Sequence, residues 1–326
     1  MTKPLVFITR QIAAEATARL QEVADVEVWP QEDPPPLSVL LEKIAYVDGI
    51  ITMLTDPINA EVIKAASPKL KVISQMAVGF DNIDIARATE RKIPVGHTPG
   101  VLTETTADFA WALILATARR VVEADRQVRQ GIWKPWGPDV LTGFDVYGAT
   151  LGIVGFGRIG QAVARRAKGF NMRIIYHSRQ RKPDAEQELG ASYVSLEDIF
   201  RFSDILSLHL NYTPAAYHLV NRERLSLMKP SAILVNTSRG AVVDSEALVW
   251  ALQNKVIAAA ALDVFDPEPI PPNHPLLFME NVVLTPHIAS ASRETRHRMA
   301  FMAVENVIAA LEGKPIPYCA NPEVYQ

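Results

Sequence analysis

Arg239, Glu268 and His287 are residue types that together suit the reduction of a carbonyl standing beside a carboxylate. An arginine can grip a carboxylate through two parallel hydrogen bonds and polarise the adjacent carbonyl. Histidine as a residue type titrates near neutrality, so it can deliver a proton as charge develops on the carbonyl oxygen. A glutamate bonded to the other ring nitrogen would hold the imidazole in place. These residues lie in Val235-Asn-Thr-Ser-Arg239-Gly240, Asp263-Val-Phe-Asp-Pro-Glu268-Pro269 and Leu284-Thr-Pro-His287-Ile-Ala289. Each segment follows a short apolar run that reads as a buried strand. Each is therefore expected in a loop at a strand's C-terminal end, where open parallel sheets bind ligands. Taken singly, the histidine suits a cap or core, the arginine a surface and the glutamate a turn. Their occurrence in three successive strand-end loops is what points to a site. No paired His or Cys spacing suggests a metal.

Leu151-Gly-Ile-Val154 is a further apolar strand, and it runs into Gly155-Phe-Gly157-Arg158-Ile159-Gly160 and then into a helix. The first glycine makes the tight turn, the second lets backbone approach a pyrophosphate, and the third lets helix and strand pack closely. The helix start offers unpaired N–H groups to phosphate. This order of elements predicts a dinucleotide site that includes Arg158 and Ile159. The second strand, Met172–Tyr176, is followed by His177-Ser178-Arg179-Gln180-Arg181-Lys182. No carboxylate stands where one would hold a ribose 2′-hydroxyl; a hydroxyl and three cations stand there instead. Arginine can hold a 2′-phosphate, so NADP(H) is expected in preference to NAD(H), with His177, Ser178 and Arg179 at the ribose.

Apolar runs alternate with helical periodicity along the chain. Strands are expected near 5–9, 26–29, 49–52, 71–76 and 95, and then near 191–194, 204–208, 232–235, 258–262 and 282–284. A single long helix is expected from Thr103 to about Gln130, apolar most of the way round and followed by an aromatic arm, Trp133 to Tyr147. The fold class is α/β, with two Rossmann-like doubly wound parallel-sheet domains. A flavodoxin-like substrate domain is expected over 1–100 plus 290–326, the last helix packing back onto it. A larger dinucleotide-binding domain is expected over 101–289.

The chain has 326 residues, 48% hydrophobic and 21% charged, with a net charge of −3. That balance gives no reason to expect nucleic acid or an anionic membrane as partner. One cysteine, Cys319, excludes an intrachain disulfide. The opening residues hold too short an apolar run for a secretion signal, and cytoplasm is the expected compartment.

Over nearly its whole length the sequence resembles the D-2-hydroxyacid dehydrogenase family. The resemblance rests on Gly155-Phe-Gly-Arg-Ile-Gly160, Asn236-Thr-Ser-Arg-Gly240, Asp263-Val-Phe-Asp-Pro-Glu-Pro269 and Pro286-His-Ile-Ala289. It implies Arg239 as substrate anchor, Glu268 as partner of the histidine and His287 as acid/base. It also implies that Val78 and Gly79 offer backbone N–H groups to the substrate carboxylate, with Met53 and Leu54 close by. Thr106, Leu210, Pro214, Thr237, Ser238, Asp263 and Ala289 are implied near the cofactor, as are Arg239 and His287. The family builds homodimers through the long helix and the arm. Met53-Leu-Thr-Asp-Pro57, Val78-Gly-Phe-Asp81 and His177-Ser-Arg179 look most like the glyoxylate/hydroxypyruvate reductase branch. Two other expectations compete: a reductase of a larger 2-keto acid such as 2-ketogluconate, and a nucleotide-sensing, corepressor-like binding protein.

Overall fold

A computed structural model describes residues 3–326; Met1 and Thr2, the start of the opening run, lie outside them. The chain divides into two compact units, Met1–Leu102 with Ala291–Gln326, and Thr103–Ser290.

The first unit begins with β1 (Leu5–Ile8), α1 (Ala14–Gln21), β2 (Asp25–Val28), α2 (Leu37–Ile44) and β3 (Gly49–Thr52). It continues with α3 (Ala60–Ala65), β4 (Val72–Gln75), α4 (Ile85–Glu90) and β5 (Val95–Gly96). All strand pairs are parallel, in the order β2-β1-β3-β4-β5. Every residue of β3 and β4 is buried, as expected of strands covered on both faces. Phe7, Leu40, Ile44, Ile50, Val62 and Ile73 form much of the core on one face. Helix α3 has six residues, too few to show an apolar period in the sequence. Its cap is local: Asn59 Oδ1 accepts the N–H groups of Glu61 and Val62, each at 3.1 Å.

The second unit opens with α5 (Thr103–Ala118) and α6 (Val121–Arg129). The single long helix expected from the sequence is therefore broken. The Ala118 carbonyl accepts the N–H of Phe144 at 2.8 Å, so it serves the returning arm and not the next helical turn. Arg120 takes a left-handed conformation (φ 52°) at the break. Next come β6 (Thr150–Val154), α7 (Arg158–Ala167), β7 (Arg173–His177), α8 (Pro183–Leu189), β8 (Ala191–Tyr193) and α9 (Leu196–Phe202). The unit closes with β9 (Ile205–Leu208), α10 (Arg222–Leu225), β10 (Ile233–Asn236), α11 (Ser245–Gln253), β11 (Ala259–Leu262) and β12 (Val282–Leu284). The sheet is parallel throughout, in the order β12-β11-β10-β9-β6-β7-β8. Chain order reverses at β6, so the glycine motif leaves the sheet at its topological switch point.

The last helix, α12 (Arg293–Leu311), belongs to the first unit and packs on β3 and β4. Ser292 caps its start, and the Ser74 hydroxyl donates to the Ala303 carbonyl at 2.9 Å. Among the described residues no helix is long and apolar enough to cross a membrane.

Candidate active site

Strands β10, β11 and β12 are neighbours and parallel, so the loops that follow them leave the same sheet edge side by side. Asn236 shapes the first loop. Its Oδ1 accepts from Ser238 N (3.0 Å) and Ser238 Oγ (2.8 Å), while its Nδ2 donates to the Arg239 carbonyl at 2.9 Å. Arg239, half-buried, donates from Nη1 to the Ser238 carbonyl at 2.9 Å. Gly240 lies directly against the second loop: a Cβ there would sit 1.9 Å from the Phe265 carbonyl carbon. That loop turns back on itself where Phe265 N–H donates to Glu268 Oε1 at 2.8 Å. The other carboxylate oxygen, Oε2, accepts from His287 Nδ1 at 2.8 Å. With Nδ1 donating to a carboxylate, Nε2 is the nitrogen left for a substrate.

His287 itself has φ 54°, a left-handed conformation uncommon outside glycine, and must be held there by its surroundings. Asp263 does the holding. Its carboxylate is fully buried. Oδ1 accepts from Thr285 Oγ1 (2.7 Å) and Ile288 N (2.9 Å), and Oδ2 accepts from Ala289 N (2.8 Å). The His287 N–H donates to the Asp263 carbonyl at 2.8 Å. Burial pushes the Asp263 carboxyl above its usual range, against the opposing pull of these hydrogen bonds. In the sequence Asp263 stood only as a neighbour of the cofactor; its role as hub of the histidine loop has no local signature.

The glycine motif has the geometry a dinucleotide needs. Gly155 has φ 95°, and a Cβ there would meet the His209 carbonyl at 2.3 Å. A Cβ on Gly157 would meet nothing, so that face is open to a ligand. Gly160 packs on the Gly155 carbonyl, where a Cβ would come within 2.3 Å. Helix α7 carries no side-chain cap at Gly157, which leaves the N–H groups of Arg158 and Ile159 to an anion. These residues fit a bound pyrophosphate. Leu210 and Pro214 follow β9, and Thr106 is buried in the first turns of α5. Thr237 Oγ1 is buried without a hydrogen-bond partner, and Ser238 and Ala289 are buried.

The loop after β7 corrects one reading of the sequence. Arg181 is not available beside Arg179, because its Nε and Nη2 grip both oxygens of Glu186, on α8, at 2.8 Å. Tyr176 Oη donates to the same carboxylate at 2.6 Å. Hydrogen bonds from Arg181 and then Tyr176 pull Glu186 down to about 2. His177 Nδ1 donates to the Val194 carbonyl at 3.0 Å, and the Ser178 hydroxyl donates to the Gln180 carbonyl at 2.6 Å. Arg179 is exposed. Of the three cations counted in the sequence, Arg181 is thus committed to its own loop.

In the first unit, Met53 and Leu54 follow β3 while Val78 and Gly79 follow β4, the neighbouring strand; all four are half-buried. A polar network that the sequence did not reveal joins the two loops. Asn82 Nδ2 donates to the carbonyls of Met53 (3.1 Å) and Asp56 (2.8 Å), and Asn82 Oδ1 accepts from Gln75 Nε2 at 2.8 Å. Buried Asp56 accepts at Oδ2 from Thr9 Oγ1 (2.5 Å) and Met53 N (2.7 Å).

The chain matches, over residues 111–289, the D-isomer specific 2-hydroxyacid dehydrogenase, NAD binding domain family. It is 56% identical over 323 residues to a glyoxylate reductase of Korarchaeum cryptofilum, covering 99% of this chain and 97% of the relative. A crystal structure of a Thermus thermophilus protein superposes with a TM-score of 0.91 at 50% identity, covering 97% of this chain and 99% of that one. An NADPH-dependent glyoxylate/hydroxypyruvate reductase of Sinorhizobium meliloti, solved with NADP and malonate, gives a TM-score of 0.87 at 34% identity, covering 99% and 98%. This chain belongs to the D-isomer specific 2-hydroxyacid dehydrogenase family, the NAD(P)-dependent oxidoreductases of 2-hydroxy acids. Within it, the chain stands in the glyoxylate reductase branch.

Proposed function

We propose that this protein reduces glyoxylate and hydroxypyruvate to glycolate and D-glycerate, using NADPH in preference to NADH. The observation that carries the catalytic reading is the 2.8 Å bond between Glu268 and His287 Nδ1, at a sheet edge shared with Arg239. Arg239 and the Val78 and Gly79 amides hold the substrate carboxylate, next to Met53 and Leu54. A nicotinamide dinucleotide held at the Gly155–Gly160 turn would supply the hydride that the carbonyl carbon takes up. His287 Nε2 gives its proton to the carbonyl oxygen, and Glu268 holds the ring and balances its charge. Asp263 keeps the histidine loop in its strained conformation.

The preference for NADPH is supported by Ser178 and exposed Arg179 at the end of β7, and by the NADP complex of the Sinorhizobium meliloti relative. Arg179→Ala should lower the NADPH-to-NADH ratio of kcat/KM by about tenfold or more, whereas Arg181→Ala should leave it within about threefold. We also read the exposed apolar side chains of α6 and the arm as a homodimer surface. Trp133 is 76% exposed and Trp136 88%, and Val121 and Val128 on α6 and Ile132 after it are exposed as well. Light scattering should give twice the chain mass.

Steady-state reduction of glyoxylate and hydroxypyruvate, each with NADPH and with NADH, tests the reading. His287→Asn should abolish turnover and leave NADPH binding within about twofold of wild type. Undiminished turnover in that variant would overturn the mechanism. Turnover confined to a bulky substrate such as 2-ketogluconate would move the substrate class. Binding of nucleotide with no reduction of any keto acid would favour a sensor.

A further inference from the structure

Behind the Val78–Gly79 loop lies a second segment that none of the expected roles includes. β5 adjoins β4 in the sheet, and the residues that follow it, His97 and Thr98, run beside the loop that follows β4. Thr98 N–H donates to the Ala77 carbonyl at 2.8 Å. His97 Nδ1 lies 3.0 Å from the Val78 carbonyl, and because a carbonyl only accepts, Nδ1 carries the proton. The ring meets Phe80 edge-on, with centroids 5.4 Å apart. His97 is in turn fixed by its own backbone: its N–H donates to the Tyr318 carbonyl at 3.0 Å, and its carbonyl accepts from Asn306 Nδ2, on α12, at 3.3 Å.

These contacts bear on the opposite ends of two peptide groups. In a trans peptide the C=O and the following N–H point in opposite directions. The Ala77 carbonyl shares its peptide with the Val78 N–H, and the Val78 carbonyl shares its peptide with the Gly79 N–H. Holding both carbonyls from one side therefore aims both N–H groups to the other. Among the described residues neither N–H donates to a protein acceptor. A hydrogen bond received at a carbonyl also polarises its amide and strengthens the donor at the far end.

We infer that His97 is a positioning residue for the keto acid: with Thr98 it aims the Val78 and Gly79 amides at the substrate carboxylate. The inference rests on the role given to those amides under the proposed function. His97→Leu removes the donor and keeps a bulky side chain, while His97→Asn places an amide N–H where Nδ1 stands. In His97→Leu the KM for glyoxylate should rise about tenfold, the effect of one lost hydrogen bond to a charged ligand's anchor. The KM for NADPH and kcat should stay within about twofold and threefold of wild type, and His97→Asn should restore most of the glyoxylate KM. An unchanged glyoxylate KM in His97→Leu, or an Asn variant as impaired as the Leu variant, would overturn the inference. The amide 15N shift of Gly79 in the free protein separates this claim from the catalytic one. It should move in His97→Leu and return in His97→Asn; identical shifts in all three proteins would also overturn the inference. A wild type that reduces no short keto acid would sink the functional reading alone, and the positioning claim would then be judged on Gly79.

Discussion

Each unit buries one aspartate at the C-terminal end of a parallel sheet, and the two are used differently. Asp263 has donors on both oxygens: Thr285 and Ile288 on Oδ1, Ala289 on Oδ2. Asp56 is equally buried, yet only Oδ2 accepts hydrogen bonds, while Oδ1 has none and faces Arg10 Nη1 at 3.6 Å. Burial raises the pKa of both carboxyls. The difference is one of satisfaction. A buried carboxylate served at both oxygens fixes the loop that serves it; one served at a single oxygen fixes less and carries more of its desolvation penalty. The aspartate served at both oxygens sits under the histidine loop, where His287 holds a left-handed backbone.

The sharpest way to break this comparison is Asp263→Ala, which strands three buried or half-buried donors. It should cost about 3–5 kcal/mol of unfolding free energy in urea titration and lower kcat at least about a hundredfold. A milder outcome than for Asp56→Ala would remove the distinction. Asp263→Asn should cost about 2 kcal/mol, because an amide can replace one accepting oxygen while its NH2 meets an N–H or hydroxyl donor. Asp56→Asn should change stability by less than about 1 kcal/mol at neutral pH, since the amide NH2 can occupy the place of the unbonded Oδ1.

The smallest effect is in pH dependence. Because its folded pKa is raised above the ordinary 3.8, folded Asp56 holds a proton over a window in which the unfolded chain has lost it. The stability this contributes is complete below 3.8 and is lost as pH rises through the raised value. The advantage of wild type over Asp56→Asn should therefore shrink as urea midpoints are followed from about pH 4 to pH 7. A gap that widens with pH would mean that Arg10 outweighs burial.

Much of the architecture is written in local patterns. The strand–glycine–helix order at Leu151–Ala167, the all-buried runs of β3 and β9, and the Ser292 cap of α12 need only neighbours in sequence to be read. Departures have non-local causes. The helix expected to run to Gln130 ends at Ala118 because its carbonyl is taken by Phe144, and nothing near residue 118 announces that partner. Arg181 counts in the sequence as one of three cations after β7, and nothing local shows that Glu186, on the next helix, takes its guanidinium. The Asn82–Gln75 link and the buried Asp56 were silent because asparagine and aspartate after a strand read as ordinary loop residues, and Gln75 reads as a strand end.

The sequence by itself determined which side chains stand at strand ends, the glycine turn that admits a pyrophosphate, and the residue types fit for proton and carboxylate chemistry. Periodicity and turn chemistry act over a few residues, so they survive in one dimension. Only the tertiary structure decided that Glu268 meets His287, that Asp263 gathers residues 285–289, and that His97 stands behind Val78. Those contacts follow from strand order and parallel register, which bring loops far apart in sequence to one sheet edge. A hydrogen bond depends on that placement in space to within a few tenths of an ångström, and no local pattern encodes it.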